Sequence, residues 1–174
     1  MDWLTQNADR LPLHGRALDV ACGRGRHALW LAARGLDTVA VDRDAEAIEA
    51  VKQEARRRGL VVDARALDLE TGDISLGDAL YDVIVVVHYL HRPLFPALVR
   101  ALRPGGLLVY ETFTRAQAAR GKPTNPAFLL DSGELRTLVA PLEILEEREG
   151  DYEGRFVASV VAMAPSTAFA VTRK

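Results

Sequence analysis

The residues with the types and spacing to do chemistry fall into three groups. Asp19, Asp42 and Asp68 each stand at or beside the end of a short apolar run, and Gly23 and Gly25 follow the first of those runs at once. His88, Tyr89 and His91 follow a fourth run, and Glu111 lies near the end of a fifth. Arg115 and Lys122 sit in the polar stretch beyond it. Glycines let the backbone turn sharply and bring main-chain N–H groups against a ligand, while the helix that starts near His27 aims the positive end of its dipole at the same place. Asp42 can accept two hydrogen bonds from a ribose diol, Asp68 can accept from an exocyclic adenine amino group, and the Leu69 N–H can meet a ring nitrogen. Together these describe a nucleoside site.

Asp19 narrows the ligand further. Its charge beside the turn would repel a pyrophosphate, but it suits a molecule carrying an ammonium and a sulfonium. The expected cofactor is S-adenosylmethionine, with S-adenosylhomocysteine as product. One rival is an NAD(P)-dependent oxidoreductase, because Gly23, Gly25 and Ala28 also satisfy G-x-G-x-x-G/A with Asp42 downstream. A dinucleotide site calls for neither Asp19 nor Asp68. A second rival is a non-catalytic S-adenosylmethionine-binding module; against it stands the polar crown of His88, Tyr89, His91, Glu111 and Arg115 beside the expected methyl position.

These groups meet only if the runs between them become strands of one sheet. Ala17 to Ala21 reads as a strand buried on both faces, followed by a helix from near His27 to Gly35 and a second strand from Thr38 to Val41, ending at Asp42. A second amphipathic helix lies between Asp44, its N-cap, and Gly59. Val61 to Leu67 is a third strand, and Thr71 to Leu80 shows no helical period. A fourth strand runs from Asp82 to Val87, a helix opens at Pro93 and closes at Pro104, and Leu107 to Thr112 is a fifth strand. Residues Phe113 to Leu130 form a long polar loop of the kind that carries function. A short helix through Glu134 and Leu138 follows, and residues on either side of Gly150 to Gly154 alternate as an antiparallel hairpin does. Met1 to His14 holds a short helix with Trp3 and Leu4 inward.

The composition sets the outer limits. The chain has 174 residues, 49% of them hydrophobic and 26% charged, as one globular domain would. The expected parts are a helical cover over 1–14, a cofactor-binding core over 15–112, a substrate loop, short helix and hairpin over 113–164, and a loose tail over 165–174. A net charge of -2 argues against broad binding to nucleic acid. No basic start precedes a long apolar run and no stretch is long enough to span a membrane, so the expected location is cytoplasmic. Cys22 stands alone, which fits a reducing compartment, and the four histidines show no zinc spacing. No metal is expected, and the sequence is silent on oligomeric state.

The stretches ALDVACGRGRHALWLAARG, AVD, DLE and YDVIVVVHYLHRPLFPALVRALRPGGLLVYE, with the closing hairpin, resemble class I S-adenosylmethionine-dependent methyltransferases over most of the chain. The family's acid and alternating glycines fall on Asp19, Ala21, Gly23 and Gly25, with Ala21 in place of the first glycine. GRH after the glycines, the segment GKPTNPAFLLDSGEL and the small size are similar to the bacterial tellurite-resistance methyltransferases. The resemblance implies an α/β, Rossmann-like doubly wound sheet of seven strands in the order 3-2-1-4-5-7-6, the last antiparallel, in three α/β/α layers. It implies a cofactor lying across the ends of strands 1, 2 and 4. Asp19, Ala21, Cys22, Gly23 and Gly25 would face its methionine part, with Arg26 at the carboxylate and the backbone near His88 at the ammonium. Asp42 and Arg43 would face the ribose, and Asp68 and Leu69 the adenine. The implied reaction is an in-line methyl transfer to a small molecule, such as a soft oxyanion or a thiol. His88, His91, Tyr89 and Glu111 are the candidate bases if the acceptor arrives protonated, although the two histidines would serve equally as a hydrogen-bonded structural pair. Arg115 and Lys122 would gather the acceptor, or else belong to a solvated loop.

Overall fold

The computed structural model describes residues 1–166; most of the expected tail lies outside them. Seven strands form the centre: β1 (Arg16–Val20), β2 (Asp37–Asp42), β3 (Val62–Ala66), β4 (Tyr81–Val87), β5 (Leu102–Phe113), β6 (Glu143–Tyr152) and β7 (Arg155–Met163). Their order in the sheet is β3-β2-β1-β4-β5-β7-β6; β7 runs antiparallel to both of its neighbours, β5 and β6, and every other adjacent pair is parallel. This is the doubly wound arrangement that the resemblance implies.

Alternation along β4 explains the layers. Val83 and Val85 face one side, packed with Trp3, Leu4, Leu31 and Val161, while Ile84 and Val86 face the other, packed with Phe95, Leu98 and Tyr110. The first side is covered by α1 (Trp3–Gln6) and α2 (Arg26–Ala33), the second by α4 (Phe95–Ala101) and α5 (Glu134–Leu138). Between β2 and β3 comes α3 (Ala45–Arg57), whose Asp44 side chain accepts from the N–H groups of Glu46 and Ala47 and whose Ala47, Ile48, Val51 and Ala55 are buried. Among the described residues no helix is long and apolar enough to cross a membrane.

Two boundaries differ from the sequence reading. The fifth strand starts at Leu102, which pairs with Tyr81, and the ladder slips before resuming at Val83 and Leu107. At that irregularity a Cβ on Gly106 would lie 2.9 Å from the carbonyl oxygens of Arg103 and Tyr81, so the PGG signal that reads as a helix stop is also a bulge inside the strand. The polar loop after β5 is tighter than a free connection: it holds turns at Arg115–Ala119 and Pro126–Phe128, and Leu130 bridges back to Thr114. As expected, residues 67–80 cross over without a helix; Ala79 and Leu80 donate instead to the carbonyls of Arg100 and Ala101.

Gly25 shows how the turn after β1 is tied to the layer above it. Its φ is +76°, and a Cβ there would lie 2.6 Å from Cγ2 of Val51 on α3. Gly25→Ala is expected to cost about 2–3 kcal/mol through backbone strain and overpacking. The check is a thermal melt, which should shift down by several degrees; an unchanged melt would contradict the packing of α3 on the turn.

Candidate active site

The parallel register brings the ends of β1, β2, β3 and β4 to one edge of the sheet, with Val20 beside Val41 and Val86, and Asp42 beside Ala66. A crevice of about 740 Å³ opens there. Ala21 from the first turn, Asp42 and Arg43 from the end of β2, and Leu67, Asp68, Leu69 and Glu70 after β3 form one wall. His88, Tyr89 and Leu90 after β4, with Thr112 and Phe113 at the end of β5, form the floor on the other side. Lys122, Pro123, Thr124, Asn125 and Phe128 overhang it from the long loop. Ligands of open α/β sheets bind at this edge.

Asp42 is wired into the first turn. One carboxylate oxygen accepts from the Gly23 N–H at 2.8 Å and the other from the Asp44 N–H at 2.9 Å. Each oxygen keeps a further lone pair for a ligand. The Gly23 N–H, which a dinucleotide site would offer to a phosphate, is already spent. Among the described residues Asp68 accepts only from the Glu70 N–H, and it is exposed beside the buried Leu69. The turn itself is tight: Ala21 has φ +53°, in the left-handed region where the resembled pattern carries a glycine.

His88 too is held in a left-handed conformation, φ +57°, by its N–H donating to the Glu111 carbonyl at 2.8 Å. Its ring stacks on Phe113 with centroids 4.6 Å apart, and burial pushes its pKa below the usual 6.5, so the imidazole is neutral at pH 7. Tyr89 donates from its hydroxyl to Glu70 at 3.3 Å, and burial raises its pKa.

Several residues singled out from the sequence lie elsewhere. Asp19 is 1% exposed beneath the turn, where its carboxylate accepts from the Ala28 N–H at 2.9 Å, so it anchors α2 and does not line the crevice. Arg26 pairs with Asp2 of the N-terminal segment, and Arg115 pairs with Asp131; each guanidinium is taken up by a neighbouring carboxylate instead of facing the crevice. His91 precedes the turn at Arg92–Leu94 and is not among the crevice residues, so it makes no pair with His88 there. Cys22, Gly23 and Gly25 shape the turn without lining the crevice, and burial pushes the Cys22 thiol well above its ordinary range. Glu111 is 7% exposed behind His88, with Oε1 4.0 Å from Nε2. Its Oε2 accepts from Ser159 at 2.5 Å and from Arg148 at 3.0 Å.

The family model of the methyltransferase domain matches residues 17–106, from β1 into β5. The chain belongs to that family.

The chain is 36% identical over 108 residues to the ubiquinone biosynthesis O-methyltransferase of Methylocella silvestris, a match covering 60% of this chain and 42% of that protein. It is 29% identical over 140 residues to hemagglutinin 1 of Eikenella corrodens, covering 77% and 46% respectively. The chain thus spans under half the length of these curated relatives. Among solved structures it is similar to TehB from Haemophilus influenzae, with a TM-score of 0.77, 20% identity, and coverage of 92% of this chain and 61% of that one. An S-adenosylmethionine-dependent methyltransferase from Methanosarcina mazei gives 0.75 and 18%, over 96% and 100% of the two chains. These likenesses establish the fold.

S-adenosylmethionine is the cofactor that this methyltransferase family and fold imply. The residues present fit it. Asp42, Asp68 and Glu70 are set against Arg43 and Lys122, between apolar walls at Leu67, Leu69 and Leu90. That donor set suits a neutral nucleoside with a cationic end and would repel a pyrophosphate. Among the described residues no cluster of three or more metal-ligating side chains exists. Sequence reasoning missed Arg148 and Ser159 as partners of Glu111: they come from the hairpin, 37 and 48 positions away, and no local pattern marks them.

Proposed function

We propose that this chain transfers a methyl group from S-adenosylmethionine to a small-molecule acceptor. The carrying observation is that Asp42 and Asp68, at the ends of adjacent strands, open on the same crevice as His88 and Tyr89. In this reading Asp42 accepts from the ribose hydroxyls, and the region of Asp68 and Leu69 receives the adenine. Bound there, S-adenosylmethionine supplies a methyl carbon made electrophilic by its sulfonium. The protein's part is to align an acceptor and exclude water, which Phe113, Phe128 and the overhanging loop are placed to do. His88, neutral at pH 7, can take a proton from the acceptor, and Glu111 behind it steadies the imidazolium that results. Lys122 adds a cation at the mouth.

Two things support a small acceptor. The crevice is roofed by the protein's own loop, and the relatives from Methylocella silvestris and Mesorhizobium japonicum bear the name of a small-molecule O-methyltransferase. A soft oxyanion or a thiol suits the combination of Lys122 with a neutral imidazole.

Isothermal calorimetry tests the cofactor. S-adenosylhomocysteine is expected to bind at micromolar concentration and NADH not at all; binding of NADH without S-adenosylhomocysteine would overturn the reading. Labelled methyl transfer to thiols, selenite, tellurite and catechols then tests the acceptor class.

A further inference from the structure

We propose that Arg148 is a positioning residue for the acceptor side of the crevice: clamped between the rings of Trp3 and Tyr152, it fixes the Glu111 carboxylate against His88 and so sets the imidazole's orientation and its readiness to take a proton. The inference rests on the methyl-transfer reading only for the use made of His88.

The guanidinium Cζ lies 4.5 Å from the Trp3 ring centroid and 4.1 Å from that of Tyr152. Each is a favourable cation–π contact, and the two together restrain the guanidinium. From the same guanidinium Nη1 donates to Gln6 at 3.1 Å, Nε to Ser159 at 3.3 Å and Nη2 to Glu111 Oε2 at 3.0 Å. Ser159 donates to the same Oε2 at 2.5 Å. Both donors thus hold one oxygen, which leaves Oε1 turned to His88 Nε2 at 4.0 Å. A carboxylate that is 7% exposed calls for such hydrogen-bonding partners. The arrangement also explains why the N-terminal segment is pinned over the hairpin: Trp3 and Gln6 supply one side of the clamp, and Arg10 pairs with Glu146 on the same strand as Arg148. The segment therefore belongs to the acceptor side and does more than cover the sheet.

The charge on His88 is the readout that a merely structural arginine would not move. Burial lowers its pKa, Glu111 opposes that by raising it, and Arg155, His27 and Arg26 lower it further; Phe113 covers one ring face. Arg148→Met keeps an unbranched stem between the two rings but removes the charge and the fork, so Glu111 acts uncompensated on the imidazole. An NMR titration of the histidine side chains, with His88 assigned from the spectrum of His88→Gln, should show the His88 midpoint rising by about one pH unit in Arg148→Met. It should fall below wild type in Glu111→Gln. A His88 curve in Arg148→Met that superimposes on wild type overturns the proposal. If Arg148→Met does not fold, Tyr152→Leu opens one side of the clamp, and the same rise at smaller amplitude is expected; an unmoved curve there counts equally against the idea. In turnover, kcat should drop about tenfold in Arg148→Met with S-adenosylhomocysteine affinity unchanged. Should the midpoints move as stated while no acceptor is ever methylated, the positioning role stands and the methyl-transfer reading falls.

Discussion

Asp42→Ala is expected to weaken S-adenosylhomocysteine binding at least 100-fold in calorimetry, while Lys122→Ala changes it less than twofold. Each of the two oxygens of Asp42, a residue that lines the crevice, already accepts one backbone N–H and keeps a lone pair for a ligand. A ribose diol donating to both makes two hydrogen bonds to a charged group, each worth about 1.5–3 kcal/mol. Losing the pair costs about 3 kcal/mol or more, hence the factor of 100. The substitution also releases the Gly23 N–H and loosens the turn, which adds to the loss in the same direction. Lys122, in contrast, overhangs the crevice from the loop after β5, on the side away from β2 and β3. Equal losses in the two variants would count against the division of the crevice into a cofactor half and an acceptor half. A thermal melt of each variant separates weak binding from failure to fold.

Stability should fall as pH rises, because of Asp19. Burial pushes its pKa from 3.8 up to about 7, against the opposing pull of His27 and the Ala28 N–H. Between those two values the folded chain holds a proton that the unfolded chain has released. The stabilisation is therefore complete below about pH 4 and is lost progressively as pH rises through 7, a difference of about 4 kcal/mol in the limit. Other groups titrate over the same range, so the measurement is a comparison: urea midpoints of wild type and Asp19→Asn from pH 5 to pH 9. Wild type should lose stability toward pH 9 relative to Asp19→Asn, which carries no proton to release. Parallel curves would show that folding does not change the proton affinity of Asp19, contrary to the effect of its burial.

The same residue shows where sequence reasoning stops. That β1 ends near Asp19, β2 at Asp42 and β3 near Asp68 could be read from apolar runs closed by an acid, since parallel strands buried on both faces leave little else to be polar. Period alone does not say which acid faces the ligand. Asp42 and Asp68 do line the crevice; Asp19, inside β1, turns under the helix instead. Arg26 and Arg115 were legible as cations but not as ion-paired ones, because Asp2 lies 24 positions from Arg26 and Asp131 lies 16 from Arg115. His88 and Tyr89 were legible because the end of a central strand delivers its neighbours to the crevice, whereas the backing of His88 by Glu111, Ser159 and Arg148 depends on β7 lying between β5 and β6. That pairing is a property of the whole sheet.

The Trp3 indole donates to the carbonyl of Val160 at 3.1 Å, across 157 positions of sequence. A growing chain cannot seat this side chain until the antiparallel strand β7 has been made, so α1 completes its docking only after that strand exists. Arg148, which stacks on the same indole, is left without one wall of its clamp for all that time. Completion of the Arg148 stack thus waits on a contact that spans nearly all of the described residues, and closures of such separation are slow and entropically costly.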